Sequence, residues 1–257
     1  MIIEYIIDVK SEYHIGTGLE RPGVADRTLV CRSDESLVIP SAHFRGLVRD
    51  ACTQIIYWQG KKSECCEASL TKAPLQNPKS NQNDDKIKIP QTCGLTIREG
   101  GEPCVLCRLF GTTFTPGRYE FSDNVILCEK IEKDKRISTH NRVEPAIGRT
   151  PEETFFSFEI GKESKFKGTI KRNSPQKCHE MLMEEIGLLL AGLRLIERVG
   201  SRSRRGWGQC RVCIDKISTD CNETLHKDII NIDDISTKVD KILGHYLKVD
   251  QAEQVLR

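Results

Sequence analysis

The segment LVIPSAHFRGLVRDACTQI, residues 37–55, changes from the pattern of a strand to that of a helix at a single proline. Residues 37–39 form a continuous apolar run typical of a buried strand, and Pro40 ends it. From Ser41, a candidate N-cap, apolar side chains recur at helical spacing: Phe44, Leu47, Val48, Ala51, Cys52 and Ile55. The segment therefore predicts a strand followed directly by an amphipathic helix.

The flanking sequence predicts further strands and a second helix. Residues 2–9 alternate between apolar and charged side chains, as in a half-buried strand, and residues 125–128 and 209–214 also have strand character. The second helix carries Leu182, Ile186, Leu189, Leu190, Leu193 and Ile196, and we expect it to stop at Gly200. This order predicts an α+β fold, with helices packed on one face of an antiparallel sheet.

The composition restricts the class of protein. The chain has 257 residues, of which 39 are Lys or Arg and 37 are Asp or Glu, so any basic surface must be local. The longest apolar stretch, residues 186–196, is too short to span a bilayer. Residues 1–10 lack the features of a secretory signal, so we expect a cytoplasmic protein without membrane attachment.

Twelve cysteines in such a protein are expected to bind metal or remain reduced in the core. Cys104 and Cys107 form a C-x2-C knuckle, and Cys93 lies upstream, so these three thiolates could hold one ion. His43 is the first choice for the fourth ligand, with Cys65 and Cys66 as alternatives. Three reduced core cysteines remain the other interpretation. A closed site of four ligands would be structural.

The second C-x2-C pair, Cys210 and Cys213, lies in a predicted strand. Residues three apart on a strand point to opposite faces, so these two thiols should not share an ion. We expect Cys210, Val212 and Ile214 to face the core instead.

Residues 194–211, RLIERVGSRSRRGWGQCR, contain six arginines and one glutamate. Glycines in this segment permit close backbone approach, and guanidinium groups suit phosphate oxygens. Trp207 could stack on a base or simply pack. The density of arginine favours an anionic partner over a merely solvated loop.

Five motifs in order resemble those of the CRISPR-associated RAMP superfamily. IPSAHFRGLVR at residues 39–49 resembles "I-P-G-S-S-L-[KR]-G-x-x-R", and HIGTG at 14–18 is similar to an early "H-I-G-x-G" loop. LFG at 109–111 and GSRSRRGWG at 200–208 resemble "L-F-G" and "G-G-x-x-S-R-G-[WYF]-G". RVEPAIGRTPEETFFSFE at 142–159 is similar to the thumb hairpin of the family. His43 replaces a serine of the motif, and Ser201 and Arg202 stand where a second glycine is common.

The resemblance is strongest to the backbone subunit of type III effector complexes, in the zinc-containing branch of subtypes D and E. It implies a single domain over residues 1–257, with a ferredoxin-like, RRM-like palm. A zinc-finger insertion at about 60–108 and a β-hairpin thumb at about 140–160 would extend from this palm. Implied partners are CRISPR RNA, complementary target RNA and other RAMP subunits.

The resemblance also implies roles for individual residues. The structural Zn2+ would be held by Cys93, Cys104 and Cys107, with His43. Asp26, in the loop after the first strand, would promote cleavage of target RNA with a divalent cation such as Mg2+, with Asp34 as the second choice. Eleven residues would contact RNA: His14, Ser41, Arg45, Arg49, Arg142, Arg149, Arg202, Ser203, Arg204, Arg205 and Trp207.

Three alternatives stay open from the sequence. The chain could be a guide-binding scaffold that does not cut. It could be a RAMP-type endoribonuclease that matures the guide, with His14 or His43 as general base. It could also be a zinc-finger nucleic-acid binder unrelated to CRISPR.

Overall fold

The computed structural model describes residues 1–20, 25–61, 65–66, 93, 103–112, 115–127, 135–141, 155–173 and 179–218. The chain divides into two compact units. The first comprises Met1–Leu47, Phe121–Ile170 and Ile196–Asp220, and the second comprises Val48–Glu120, Lys171–Leu195 and Cys221–Arg257. Most of the predicted insertion and part of the predicted thumb, residues 142–154, lie outside the described residues.

The described elements are strands and helices in a mixed order. In chain order they are β1 (Ile2–Val9), β2 (Val38–Ile39), α1 (Ser41–Trp58), α2 (Val105–Phe110), β3 (Tyr119–Phe121), β4 (Asn124–Ile126), β5 (Lys135–Asn141), β6 (Phe155–Gly161), β7 (Ser164–Arg172), α3 (His179–Leu195) and β8 (Cys210–Ser218). A short 3-10 turn, Ser203–Arg205, precedes β8. The α+β prediction is confirmed. No described helix is both long enough and apolar enough to cross a membrane.

A six-stranded sheet has the order β2-β4-β7-β1-β8, and β3 also pairs with β7. The pairs β1–β8, β2–β4 and β4–β7 are antiparallel. On β1, alternate side chains are buried, which confirms the strand predicted from the period of two. This arrangement places the loops that follow β1 and precede β8 in the same unit as the sheet.

Helix α1 begins where the sequence predicts, but another residue caps it. Ser41 is already helical, and its backbone N–H donates to the carboxylate of Asp123 at 2.7 Å. The prediction of Ser41 as N-cap is therefore wrong, because an acceptor from the β3–β4 turn takes that role. Phe44 stacks on Tyr5 of β1, with ring centroids 5.1 Å apart, and fixes this end of the helix on the sheet.

The second unit contains the later turns of α1 together with α2 and α3. Val48, Ala51, Cys52 and Ile55 are buried, as the helical period predicts. Gly192 of α3 lies against the Cys52 thiol, where a Cβ would not fit. The central apolar residues of α3 are buried, and the helix ends at Leu195, a few residues before Gly200.

A two-stranded sheet forms from β5 and β6, which pair antiparallel from Lys135–Gly161 to Asn141–Phe155. The aromatic run at 155–158 lies in strand β6, and its partner β5 precedes residues 142–159, where the sequence places the hairpin. In this pairing Ser157 lies opposite Thr139, and Phe156 lies opposite His140. Ser157 and Thr139 therefore lie on one face of the hairpin, and Phe156 and His140 lie on the other.

Candidate functional site

The loop that carries Asp26 is held along β6. The backbone N–H of Ser157 donates to Asp26 Oδ2 at 2.6 Å, and the Ser157 hydroxyl donates to the same oxygen at 2.9 Å. Asp26 returns a hydrogen bond from its own N–H to Ser157 Oγ at 3.1 Å. Asp26 is exposed, and these two donors hold the pKa of its carboxyl below the ordinary value. The loop thus presents an ionised carboxylate to solvent.

Glu159 and His14 also help to hold the loop that carries Asp26 on β6. Leu29 N–H donates to the Glu159 carboxylate at 2.9 Å, and His14 Nδ1 donates to the Glu159 carbonyl at 2.7 Å. The His14 ring packs edge-on against Phe158 and is only 4% exposed. The buried ring braces the loop, and the contact of His14 with RNA stays a prediction.

On the other face of the hairpin, Arg202 lies among aromatic rings. Its guanidinium carbon is 3.8 Å from the centroid of Phe158, 5.8 Å from that of Phe156 and 5.2 Å from that of Trp207. Nearby Arg27 and Arg205 add positive charge, and burial together with these two arginines lowers the pKa of Arg202. We call Arg27, Phe156, Phe158, Arg202, Arg205 and Trp207 the arginine–aromatic cluster.

His140 adjoins this cluster and accepts a hydrogen bond from it. Arg202 NH1 lies 3.2 Å from His140 Nε2. Since a guanidinium can only donate, Nε2 must carry a lone pair. Burial and the charges of Arg202, Arg205 and Arg136 lower the pKa of His140, which favours this neutral ring. His140 also stacks on Phe156 with centroids 5.8 Å apart.

The turn between α3 and β8 sets the position of Arg202. Gly200 and Gly208 have φ of 81° and 69°, and a Cβ would meet the carbonyl of His14 at Gly200 and that of Val199 at Gly208. Arg202 itself has φ of 59°. Arg202, one of the two residues that stand where a second glycine is common, therefore has a backbone conformation that glycine favours. Arg204 and Arg205 are exposed, and Ser203 and Trp207 are half-buried.

Other predicted RNA contacts lie on α1 or outside the described part. Ser41 and Arg45 lie in the first turns of α1, Arg49 lies in the next turn, and all three are half-buried. Arg142 and Arg149 lie outside the described residues. Asp34, the second choice for catalysis, accepts hydrogen bonds from Ser36 N–H at 3.0 Å and from its hydroxyl at 2.6 Å. It closes a turn.

In the second unit, four cysteines form a group with the dimensions of a metal site. The sulfur atoms of Cys66, Cys93, Cys104 and Cys107 all lie within 4.8 Å of one another. Cys66 Sγ and Cys107 Sγ are 3.5 Å apart. Zn–S bonds of about 2.3 Å in a tetrahedron require sulfurs roughly 3.8 Å apart, so the group fits zinc in size, charge and ligand type.

The surroundings of Cys93 and Cys104 shift their pKa values in opposite directions. Burial raises the pKa of Cys93 to about 11. Hydrogen bonds from Cys107 and Cys65 lower the pKa of Cys104. The backbone N–H of Cys104 also donates to Cys93 Sγ at 3.2 Å.

His43, the first choice for the fourth ligand, is not in this group, and this prediction is corrected. Its Nε2 accepts the N–H of Gly200 at 3.3 Å, and burial lowers its pKa. Cys66, one of the alternatives, takes the fourth place. Helical periodicity shows only that His43 leaves the apolar stripe of α1, and it does not show which neighbour the ring meets.

The second C-x2-C pair behaves as predicted. Cys210 and Val212 are buried on β8, whereas Cys213 is exposed, so the two sulfurs point to opposite faces. Ile214, expected in the core, is half-buried.

Sequence reasoning missed Ser157, His140 and a buried ion cluster. In this cluster Glu185 of α3 is fully buried, and its Oε1 accepts from Arg108 Nε at 3.1 Å and from Arg118 NH1 at 2.5 Å. The only sequence signal for it was a glutamate in the middle of the apolar pattern of α3.

A family model described as "RAMP superfamily" matches residues 6–211, which is most of the chain. The matched span includes the Asp26 loop, the cysteine group and the arginine–aromatic cluster. No curated protein matches the chain. On the breadth of the family match, the chain belongs to the RAMP superfamily.

Proposed function

We propose that the chain is the backbone subunit of a type III CRISPR effector complex, which binds CRISPR RNA and cleaves the target RNA paired to it. Membership of the RAMP superfamily supports a CRISPR-associated RNA-binding protein with other CRISPR-associated subunits as partners. The observation that carries the finer proposal is the hairpin β5–β6, which has a carboxylate on one side and the arginine–aromatic cluster on the other.

The cluster suits a ribose-phosphate strand of any sequence. Exposed Arg204 and Arg205 provide guanidinium groups for phosphate oxygens, and half-buried Trp207 offers part of a ring for stacking. Ser41, Arg45 and Arg49 would extend the grip, as the resemblance implies. Phosphate contacts carry no sequence information, so one surface can hold any guide while base pairing reads the target.

The strand order supports a ferredoxin-like palm. Strands β1, β4, β7 and β8 combine with α1 and α3 in the chain order β-α-β-β-α-β, and their order in the sheet is β4-β7-β1-β8. On this palm, the pair β5–β6 would be the base of the thumb at about 140–160. The whole chain would be one domain that works in the cytoplasm.

Target cleavage would use Asp26. The 2′-oxygen of the target ribose forms a bond to phosphorus while the bond to the 5′-oxygen breaks, which leaves a 2′,3′-cyclic phosphate and a 5′-hydroxyl. Asp26 accepts the proton of the 2′-hydroxyl or holds a divalent cation such as Mg2+, and the departing 5′-oxygen takes a proton from water. When bound, the cation would neutralise charge on the phosphate oxygens.

Zn2+ would be structural in this proposal. Cys66, Cys93, Cys104 and Cys107 would provide four thiolates, which is a closed site with no open position for substrate. The cysteine group would then fix the base of the insertion at about 60–108.

The decisive experiment uses the complex assembled from the chain and the products of neighbouring genes. We expect CRISPR RNA to copurify with the complex and complementary RNA to be cut. Asp26→Ala should reduce cleavage by at least 100-fold without changing RNA affinity, whereas Asp34→Ala should cleave as the parent does. Full cleavage by Asp26→Ala would leave the non-catalytic scaffold as the better proposal.

The guide-processing alternative receives less support from the structure. His14 Nδ1 is bonded to the Glu159 carbonyl, and His43 Nε2 is bonded to Gly200 N–H. Each proposed general base thus has one ring nitrogen committed to the backbone. Cleavage of repeat RNA by the isolated chain without metal would favour this alternative.

A further inference from the structure

We infer that Ser157 is a positioning residue for Asp26, and that it fixes one carboxylate oxygen so that the other is presented to the cation or to the ribose 2′-hydroxyl. This inference rests on the proposed cleavage of target RNA. It assigns a role to a residue that no motif singled out.

The geometry is asymmetric between the two oxygens. Oδ2 receives both the backbone N–H and the hydroxyl of Ser157, at 2.6 and 2.9 Å. No other described residue bonds the Asp26 side chain, so Oδ1 has no protein partner in the described part of the chain. Two donors on Oδ2 reduce the electron density available there. Oδ1 is therefore the atom that can take a cation or a proton.

The Ser157 hydroxyl is fully used in this arrangement. It donates to Asp26 Oδ2 and accepts from Asp26 N–H at 3.1 Å. The same oxygen thus orients the carboxylate and the backbone that carries it. Among side chains that fit a strand, threonine could repeat both bonds, whereas alanine could repeat neither.

The surrounding backbone keeps the loop in place without that hydroxyl. Arg27 N–H donates to the Ser157 carbonyl at 3.1 Å, and Glu159 N–H donates to the Arg27 carbonyl at 2.9 Å. Removal of the hydroxyl should therefore leave Oδ2 with only the Ser157 backbone N–H as donor and loosen the carboxylate, while the loop stays on β6. This separates positioning from folding.

Loss of the Ser157 hydroxyl should change how the rate of cleavage depends on the cation concentration. A carboxylate that rotates should bind the cation more weakly, because part of its population points away from the cation site. The affinity for guide and target should not change, because Asp26 holds neither strand. The cation concentration needed for half-maximal cleavage is thus the informative readout.

The experiment compares three variants in the assembled complex. Ser157→Ala removes the hydroxyl, Ser157→Thr retains it, and Thr139→Ala is the matched control, because Thr139 is exposed and lies directly opposite Ser157. Cleavage of labelled target RNA is measured against Mg2+ concentration. We expect Ser157→Ala to need three- to tenfold more Mg2+, Ser157→Thr to need less than twofold more, and Thr139→Ala to match the parent.

The outcomes separate this inference from the proposed function. If Asp26→Ala cleaves normally, the proposed function fails and the inference fails with it. If Asp26→Ala is inactive but Ser157→Ala and Thr139→Ala have the same Mg2+ requirement, only the positioning role of Ser157 is overturned. A thermal unfolding curve of each variant identifies misfolding, and Ser157→Thr then decides alone: a Mg2+ requirement above the twofold limit overturns the role.

Discussion

Arg202 shows how the arginine–aromatic cluster depends on the shape of one side chain. Its guanidinium lies 3.8 Å from the centroid of Phe158 and donates to His140 Nε2. The residue holds this position with φ of 59°, a conformation that is unfavourable for a side chain with a Cβ. A strained backbone at a charged residue suggests that the position is maintained for binding.

Arg202→Lys should therefore weaken RNA binding although it keeps the charge. A lysine ammonium cannot lie flat on Phe158 and also donate to His140 from the same plane. We expect a five- to tenfold higher Kd for CRISPR RNA, which corresponds to about 1 kcal/mol of a cation–π and stacking contact. Filter binding at several salt concentrations measures the Kd of the variant and of the parent.

The matched control is Arg211→Lys. Arg211 is exposed on β8, opposite Asp8 of β1 and outside the cluster. Both variants keep the net charge, so the salt dependence of binding should be the same in each. Equal affinity of the two variants would show that Arg202 acts only as a charge.

The buried ion cluster links three elements of the second unit. Arg108 of α2 donates to Glu185 and, at 2.7 Å, to Glu184, both on α3. Arg118, just before β3, also donates to Glu185. Since Arg108 follows Cys107 directly, the cluster ties the cysteine knuckle to α3. A buried carboxylate among arginines is costly to disrupt, because the arginines would lose their counter-charge.

Glu185→Gln should consequently destabilise the protein by about 3–5 kcal/mol, as expected when one partner of a buried ion pair is removed. Glu184→Gln is the control on the neighbouring residue, because the Glu184 side chain is 41% exposed and the Glu185 side chain is 0% exposed. We expect it to cost no more than about 1 kcal/mol. Urea unfolding of both variants tests this difference, and similar losses would mean that burial of Glu185 does not matter.

The elements differ in how far the sequence predicts them. Helix α1 and strand β1 follow from periodicity, because each buries one stripe of its own side chains. Strand β5, KRISTHN, was not predicted, because it has no apolar period and is ordered by its pairing with β6. The Ser157–Asp26 contact joins residues far apart in sequence, and no local pattern encodes such a distance.

At the scale of the whole molecule, family membership and the order of motifs were accessible from the sequence, whereas ligand assignment was not. The knuckle at Cys104 and Cys107 is a local turn, so its spacing predicts it. The fourth cysteine of the group is brought in by tertiary folding, which places Cys66 beside the other three and leaves the His43 ring bonded to the Gly200 N–H. Substitution of single cysteines therefore tests whether tertiary folding brings Cys66 to the group.

Metal removal should destabilise the chain through this group. If free zinc exceeds its Kd by about 1,000-fold, binding contributes about 4 kcal/mol of stability, and for a chain of this size the melting temperature should fall by roughly 8–16 °C on chelation. Mass spectrometry under native conditions should find one zinc ion per chain. Cys66→Ser should lose that ion and have a lower melting temperature than the parent. Cys213→Ser should retain the ion, because Cys213 is exposed on β8. Retention of zinc by Cys66→Ser together with its loss in Cys65→Ser would assign the fourth thiolate to Cys65, whose contact with Cys104 makes it the nearest substitute.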